Sequence, residues 1–281
     1  MARDTVEHAV TTFPVQADQD VWRLDAVDEH LVSVIDPTSI EADQYRTLRH
    51  VVERRHGAKK LIAVTSAVAG DGKTTTALNL AASMALAPDT RILVWDLDLR
   101  TPSLANRLGL ARQSPGLVDL MLDSSLALED VVRRHPRIPL SVLPVGQPLT
   151  VSYELLKDPR LGELLRAASQ QYDYVVIDTP PLVPVPDSLL IADYVEGFIV
   201  VVSAHVTPRR LVEDALNQMD PTKVLGLVFN RDDRPFSGYY GYYYGHYSRH
   251  SHYHGRGRRR GRRGGGGWAS LLDRALDVIR S

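Results

Sequence analysis

A short apolar run, Leu61-Ile62-Ala63-Val64-Thr65, leads into the glycine-bearing segment Ala67-Val68-Ala69-Gly70-Asp71-Gly72-Lys73-Thr74, and helix-forming text continues from Lys73 to Leu86. That order predicts strand, loop and helix. The loop fits the phosphate-binding pattern G-x-x-x-x-G-K-[ST], with Ala67 in place of the first glycine. Gly70 and Gly72 allow backbone N–H groups to turn inward onto phosphate oxygens, and the helix points its positive end at them. Lys73 then reaches the terminal phosphates and Thr74 ligates magnesium. Ala69, Gly70, Asp71, Gly72, Lys73, Thr74 and Thr75 are therefore the expected ATP contacts, with ATP and Mg2+ as the expected ligands. The competing reading is a bare glycine turn between a strand and a helix, and it gives no reason for acids to close other strands of the same chain.

Two more apolar runs do end in acids: Ile92-Leu93-Val94-Trp95 before Asp96, and Tyr174-Val175-Val176-Ile177 before Asp178. A buried strand closing in Asp is what a phosphate-loop enzyme uses to hold magnesium and its waters. Phe198 to Val202 and Val224 to Phe229 read as further strands, with helical text at Val185 to Ala192 and Pro208 to Gln218. Continuous apolar strands alternating with helices predict an α/β P-loop NTPase fold: a mostly parallel central sheet flanked by helices on both faces, with ligands at the carboxyl ends of the strands.

Asp96-Leu97-Asp98-Leu99-Arg100 sets two carboxylates and an arginine on one side of an extended segment. One acid could hold metal while the other activates a hydroxyl or water, and Arg100 could steady the strand end or a phosphate. Lys73, Asp96, Asp98, Arg100 and Asp178 are the expected catalytic set, with Thr74 and the strand-end acids as the expected magnesium side. The alternative for Asp98 and Arg100 is a mutual pair on a surface loop.

Charge divides the chain. From Arg231 onward there are eleven Arg and four Asp, which leaves 22 basic against 30 acidic residues before it. An acidic body thus carries a basic tail. The chain has no cysteine, which excludes disulfides, and no secretory pattern over Met1 to Val10, so an intracellular location is expected. The longest apolar stretches fall short of the roughly 18 to 20 residues of a membrane-spanning helix. The expected organisation is an N-terminal extension of uncertain order (1–35), a P-loop domain (36–231), a mobile Gly/Tyr/His/Arg-rich tail (232–267) and a short amphipathic helix (268–281). Asp36-Pro37-Thr38-Ser39 supplies helix-start chemistry, and apolar residues recur at helical spacing from Ile40 until Gly57.

Together these motifs resemble those of the bacterial tyrosine kinases of capsule and exopolysaccharide assembly, over about Asp36 to Tyr247. The relaxed first motif corresponds to Ala67 to Thr74, the second to Leu93 to Arg100, and the third to Val175-Val176-Ile177-Asp178-Thr179-Pro180-Pro181. Thr101-Pro102-Ser103-Leu104, Pro115-Gly116-Leu117 and Asp187 are further matches. The resemblance implies Asp96 as base for a tyrosine hydroxyl, Asp98 and Asp178 on the magnesium side, and Asn230-Arg231 beside the adenine. Asp43, Arg46 and Arg49 are similar to the family's E-x-x-R-x-x-R oligomerisation motif, with Asp for Glu. Val68 stands where partitioning and cell-division relatives carry a signature lysine, which disfavours the alternative of a nucleotide-switch ATPase without kinase activity. A weakly active, ATP-binding regulator is a third reading.

Tyr239, Tyr240, Tyr242, Tyr243, Tyr244, Tyr247 and Tyr253 are seven of the chain's twelve tyrosines, set among glycines. They look like the family's autophosphorylated cluster, and each phosphate would add about −1.5 to −2 charges to a basic segment. His246, His250, His252 and His254 alternate without a fixed ligand geometry. The arginines from Arg256 to Arg263 could meet anionic lipid, nucleic acid or a neighbour's acidic body, and nucleic acid is the partner not expected. Trp268, Leu271, Leu272, Ala275, Leu276 and Ile279 share one face of a helix, which would dock on a membrane surface or partner, or pack back on its own domain. The resemblance further implies a homo-oligomer, a separate membrane adaptor of the polysaccharide co-polymerase type, a cognate tyrosine phosphatase, and a cytoplasmic protein recruited to the inner face of the membrane.

Overall fold

The computed structural model describes residues 22–56, 61–111, 114–147 and 152–232. The tail tyrosines, the histidine and arginine runs and the 268–281 helix lie outside the described residues.

Seven strands form one sheet among the described residues: β1 (Leu61–Ser66), β2 (Ile92–Asp96), β3 (Arg133–Arg134), β4 (Leu140–Leu143), β5 (Tyr174–Asp178), β6 (Gly197–Ser203) and β7 (Val224–Asn230). Their spatial order is β3-β4-β2-β5-β1-β6-β7. All pairings are parallel except the short β3–β4 edge. The helices are α1 (Val32–Ile35), α2 (Ile40–His56), α3 (Lys73–Ala85), α4 (Leu104–Arg107), α5 (Leu117–Leu122), α6 (Leu128–Val131), α7 (Ser152–Lys157), α8 (Pro159–Gln171) and α9 (Arg209–Leu216).

The sheet is apolar on both faces, and the alternation of side chains distributes its residues between two cores. Ile62, Val64, Val94, Val176 and Val201 pack with Leu78, Leu80 and Met84 of α3 and with Val52 of α2. Ala63, Trp95, Val175, Ile177, Phe198 and Val200 face the other way, onto Leu117 and Leu120 of α5, Leu161 and Leu165 of α8 and Val212 of α9. Each side therefore has its own helical layer, as the continuous apolar runs predict.

Residues 22–35, expected from sequence as part of an extension of uncertain order, are packed on the domain. Trp22 and Leu31 are buried and join the α3 core, and Trp22 bridges to Leu110. The attachment is polar as well. Asn79, fully buried in α3, accepts from the Ser33 N–H (2.8 Å) and donates to the His30 carbonyl (2.9 Å). Burying one large apolar side chain contributes about 1.5–3 kcal/mol, so this segment belongs to the folded unit. The stretch expected as a helix at Val185 to Ala192 is a 3-10 segment, Pro186–Ile191, led by its proline.

Sheet order positions the chemistry. β1 lies beside β5, and β5 beside β2, so the loops after three adjacent parallel strands open at one end. In the β2–β5 register Asp96 pairs directly with Asp178, which brings two acids distant in sequence to one point beside the phosphate loop.

Candidate active site

The glycines at the loop meet a steric demand. Gly70 and Gly72 adopt φ of 89° and 97°, a left-handed conformation that costs side-chain-bearing residues about 1–2 kcal/mol. A methyl at Gly72 would also overlap the Asn230 side-chain amide, which donates to the Asp71 carbonyl at 2.9 Å. The loop is thus held from β7 as well as from β1. Ala69, Gly70, Gly72, Lys73, Thr74, Thr75 and Asn230 line a cleft of about 460 Å³. Of the expected ATP contacts, Asp71 alone is turned away. Its buried carboxylate accepts from the Thr207 hydroxyl and from the Val68 N–H (3.3 Å), so it braces the loop from behind.

Behind the cleft, Asp96, Asp98 and Asp178 converge on Lys73, all four buried. The Lys73 ammonium donates to Asp98 Oδ2 at 2.6 Å and lies 3.6 Å from Asp178 Oδ1. Thr74 donates its hydroxyl to Asp178 Oδ2 at 2.6 Å. Asp96 accepts two backbone N–H groups, from Asp98 (3.1 Å) and Leu104 (3.2 Å), so its carboxylate also fixes the turn after β2. Burial, then repulsion from Asp178, pushes Asp96 well above the ordinary carboxylate range despite Lys73. Burial raises Asp178 too, with Lys73 and the Thr74 hydroxyl opposing it. The same acids hold Lys73 above its ordinary value although burial works against its charge.

Three carboxylates against one ammonium leave two negative charges in excess when all are ionised. One oxygen of that cluster, Asp178 Oδ1, is buried without a hydrogen-bond partner. It is ion-paired with Lys73 at 3.6 Å but accepts no hydrogen bond, which is costly for a buried acceptor, so it has a lone pair to offer a cation or its bound water. The donor set is all oxygen, as a hard divalent ion requires. No group of three or more Asp, Glu, His or Cys side chains forms a self-sufficient metal cage among the described residues. Magnesium is usually held by one or two carboxylates together with phosphate and water. Thr74, Asp98 and Asp178 are the residues that would hold it. When bound, it would neutralise charge on the phosphates.

Residues 59–217 match the family model described as an AAA domain. Tyrosine-protein kinase YwqD of Bacillus subtilis is 30% identical over 220 residues, covering 77% of this chain and 92% of that protein. The chain belongs to the bacterial tyrosine-kinase family. The kinase domain of VpsO superposes with a TM-score of 0.60 at 30% identity, over 72% of this chain and 94% of that one. The succinoglycan biosynthesis transport protein ExoP of Rhizobium meliloti is 32% identical over 73% of this chain, which spans 26% of ExoP.

Within this tyrosine-kinase domain, Arg100 stands apart from the phosphate loop. Its guanidinium binds Asp187 through two nitrogens, at 2.7 and 3.2 Å, tying the turn after β2 to the 3-10 segment. The surface pair between Asp98 and Arg100 considered from sequence does not form: Asp98 is bound by Lys73 and by Thr101. Asp43 and Arg46 pair with each other on α2, and Arg46 also reaches the Pro37 carbonyl. Arg49 binds Glu53 (2.7 Å) and the Ser83 carbonyl of α3 (2.9 Å). All three residues of the expected oligomerisation motif therefore have partners within the chain. Sequence reading passed over Thr207, and Asp28, His30 and Arg107 on the cleft wall; Ser103, named there only within the match after the second motif, donates its hydroxyl to Thr74 Oγ1 (3.2 Å). A hydroxyl near a phosphate loop carries no motif, and the acid and histidine lay in the stretch without pattern. No helix of the described residues is long and apolar enough to cross a membrane.

Proposed function

We propose that this chain is a protein-tyrosine kinase that transfers the γ-phosphoryl of Mg-ATP to its own C-terminal tyrosines, in trans between copies. The observation that carries this reading is the convergence of Lys73 on Asp98 and Asp178 beside Thr74 at the head of α3. ATP phosphates enter the cleft, receive the loop N–H groups, and draw Lys73 away from Asp98. The carboxylate so released is free to hold metal, and Asp96, with its proton affinity already raised by burial and by Asp178, takes the proton of the attacking tyrosine hydroxyl. Positioning and charge neutralisation supply most of the acceleration in phosphoryl transfer.

Through that modification the protein would regulate capsule or exopolysaccharide synthesis or export, a context supported by the relatedness to ExoP. It would act as a homo-oligomer, recruited by a membrane adaptor of the co-polymerase type to the inner face of the membrane and reset by a tyrosine phosphatase. Contact of the 268–281 helix with lipid is part of the same proposal. The test measures released phosphate and phosphotyrosine together during incubation with Mg-ATP. The kinase reading expects phosphate on tyrosine in step with ATP consumption, whereas steady hydrolysis with unmodified protein would identify a switch ATPase.

A further inference from the structure

Besides Lys73, two arginines line the cleft, Arg107 and Arg231. Arg107, the last residue of α4, lines it beside Lys73, Thr74 and Ser103, and Asp28 lines it on the same side. Arg107 Nη1 donates to Asp28 Oδ2 at 2.5 Å, with side chains 34% and 22% exposed respectively. The Asp28 N–H in turn donates to the Arg107 carbonyl at 2.8 Å. Arg107 Nε is buried and has no hydrogen-bond partner. Guanidinium is a planar fork that matches carboxylate or phosphate with two parallel bonds. Here the Nη1 end makes a single bond to Asp28, and the Nε edge on the other side of the plane is buried without a hydrogen-bond partner. Asp28 is itself held below the ordinary carboxylate range: burial opposes its charge, but hydrogen bonds from His30 and the Arg107 cation outweigh that.

Resting on the reading of this cleft as the nucleotide site, we propose that Arg107 is a phosphate ligand of the bound nucleotide and that Asp28 holds its place until nucleotide arrives. The Asp28 carboxylate supplies to Arg107 the anionic oxygen that a nucleotide phosphate supplies in the complex. Because the backbone bond between residues 28 and 107 does not depend on either side chain, the exchange can occur with residues 22–35 still packed. Asp28 thereby competes with phosphate for one guanidinium, and the two residues act on nucleotide affinity with opposite sign.

That opposition separates the proposal from a purely structural ion pair, for which both substitutions would lower stability and neither would shift affinity. The experiment titrates the full chain with a fluorescent ADP analogue, alongside Arg107→Ala, Asp28→Asn and the double variant, each checked by thermal unfolding. Arg107→Ala is expected to weaken binding about tenfold, the loss of one charge-assisted contact. Asp28→Asn is expected to tighten it several-fold, and to do nothing once Arg107 is absent. Equal affinity of Arg107→Ala and the parent would overturn the proposal, as would weaker binding by a folded Asp28→Asn. If Arg107→Ala fails to fold, the Asp28→Asn arm decides alone. Failure of the parent chain to bind ADP would instead sink the nucleotide reading on which this rests.

Discussion

Replacing Asp178 by Asn should stabilise the protein at neutral pH while abolishing its chemistry. Asn keeps the shape, since its oxygen can still accept from the Thr74 hydroxyl, now at 2.6 Å; with the amide nitrogen in the place of Oδ1, Lys73 loses its 3.6 Å ion pair and rests on Asp98. What changes is charge. Asp178 is fully buried, adjoins Asp96 in the sheet register and shares one ammonium with two other acids. Each unit by which burial and repulsion raise a carboxylate's pKa corresponds to about 1.4 kcal/mol of destabilisation of the charged form. Relieving one such charge is expected to yield about 1–2 kcal/mol of stability after the loss of attraction to Lys73, or about 2–8 °C in Tm for a domain of this size. Linkage sets the sign of the pH dependence. Asp96 and Asp178 are raised in the folded state, so their stabilising contribution is complete below the ordinary carboxylate range and is lost as pH rises through their folded values. The assay is thermal unfolding of parent and Asp178→Asn from pH 5 to 8, with and without Mg2+ and ADP. The parent should lose stability toward high pH more steeply than the variant, and Mg2+ with ADP should stabilise only the parent strongly. A variant less stable than the parent at pH 8, with the same pH slope, would refute the reasoning.

Three other outcomes are expected. Gly72→Ala places a methyl on the Asn230 amide at a left-handed backbone position, and should cost about 1–3 kcal/mol together with nucleotide binding, read by denaturant melts and ADP titration. Asp187→Ala frees the guanidinium of Arg100, whose side chain is 45% exposed; if Arg100 serves by tying the turn to the 3-10 segment, Asp187→Ala and Arg100→Ala should reduce kinase activity equally, whereas a loss confined to Arg100→Ala would mean that the guanidinium touches substrate. His135 is pushed down to about 4 by burial and by the nearby Arg137 charge, and packs edge-on to Trp22 at 5.0 Å. Because its folded pKa is depressed, the stability it contributes is present above about 6.5 and is lost as pH falls toward 4; Trp22 fluorescence should report opening in that window, and His135→Phe should remove it.

How much of this could be read from the residues depends on whether the information is local. The strands β1, β2, β5, β6 and β7 announce themselves because a strand buried on both faces needs an unbroken apolar run. The β4 strand is only four residues long between Pro139 and Pro144, too short for period to speak. α8 escaped although its start is written locally: Asp158 accepts from the Arg160 N–H at 2.8 Å and Pro159 opens the helix. The phosphate-loop residues were legible because each glycine, the lysine and the threonine has a separate physical task. The partner of each acid was not. That Lys73 rests on Asp98, that Arg100 leaves for Asp187, and that Asp71 faces Thr207 are consequences of strand order and of turns that no spacing encodes. Trp22 and Leu31 are the clearest case, since their apolar partners on α3 and the loop after α4 lie far along the chain and the stretch around them has no repeat.

The central claim is phosphoryl transfer from this site to the chain's own tail. Its most direct test is peptide mass spectrometry of the protein incubated with Mg-ATP, beside Lys73→Met alone and Lys73→Met mixed with the parent, the two chains distinguished by isotope label. The account predicts phosphate within Tyr239 to Tyr253 on the parent, none on Lys73→Met alone, and phosphate on the labelled Lys73→Met tail when the parent is present. An unmodified tail in every sample while ATP is consumed would contradict it.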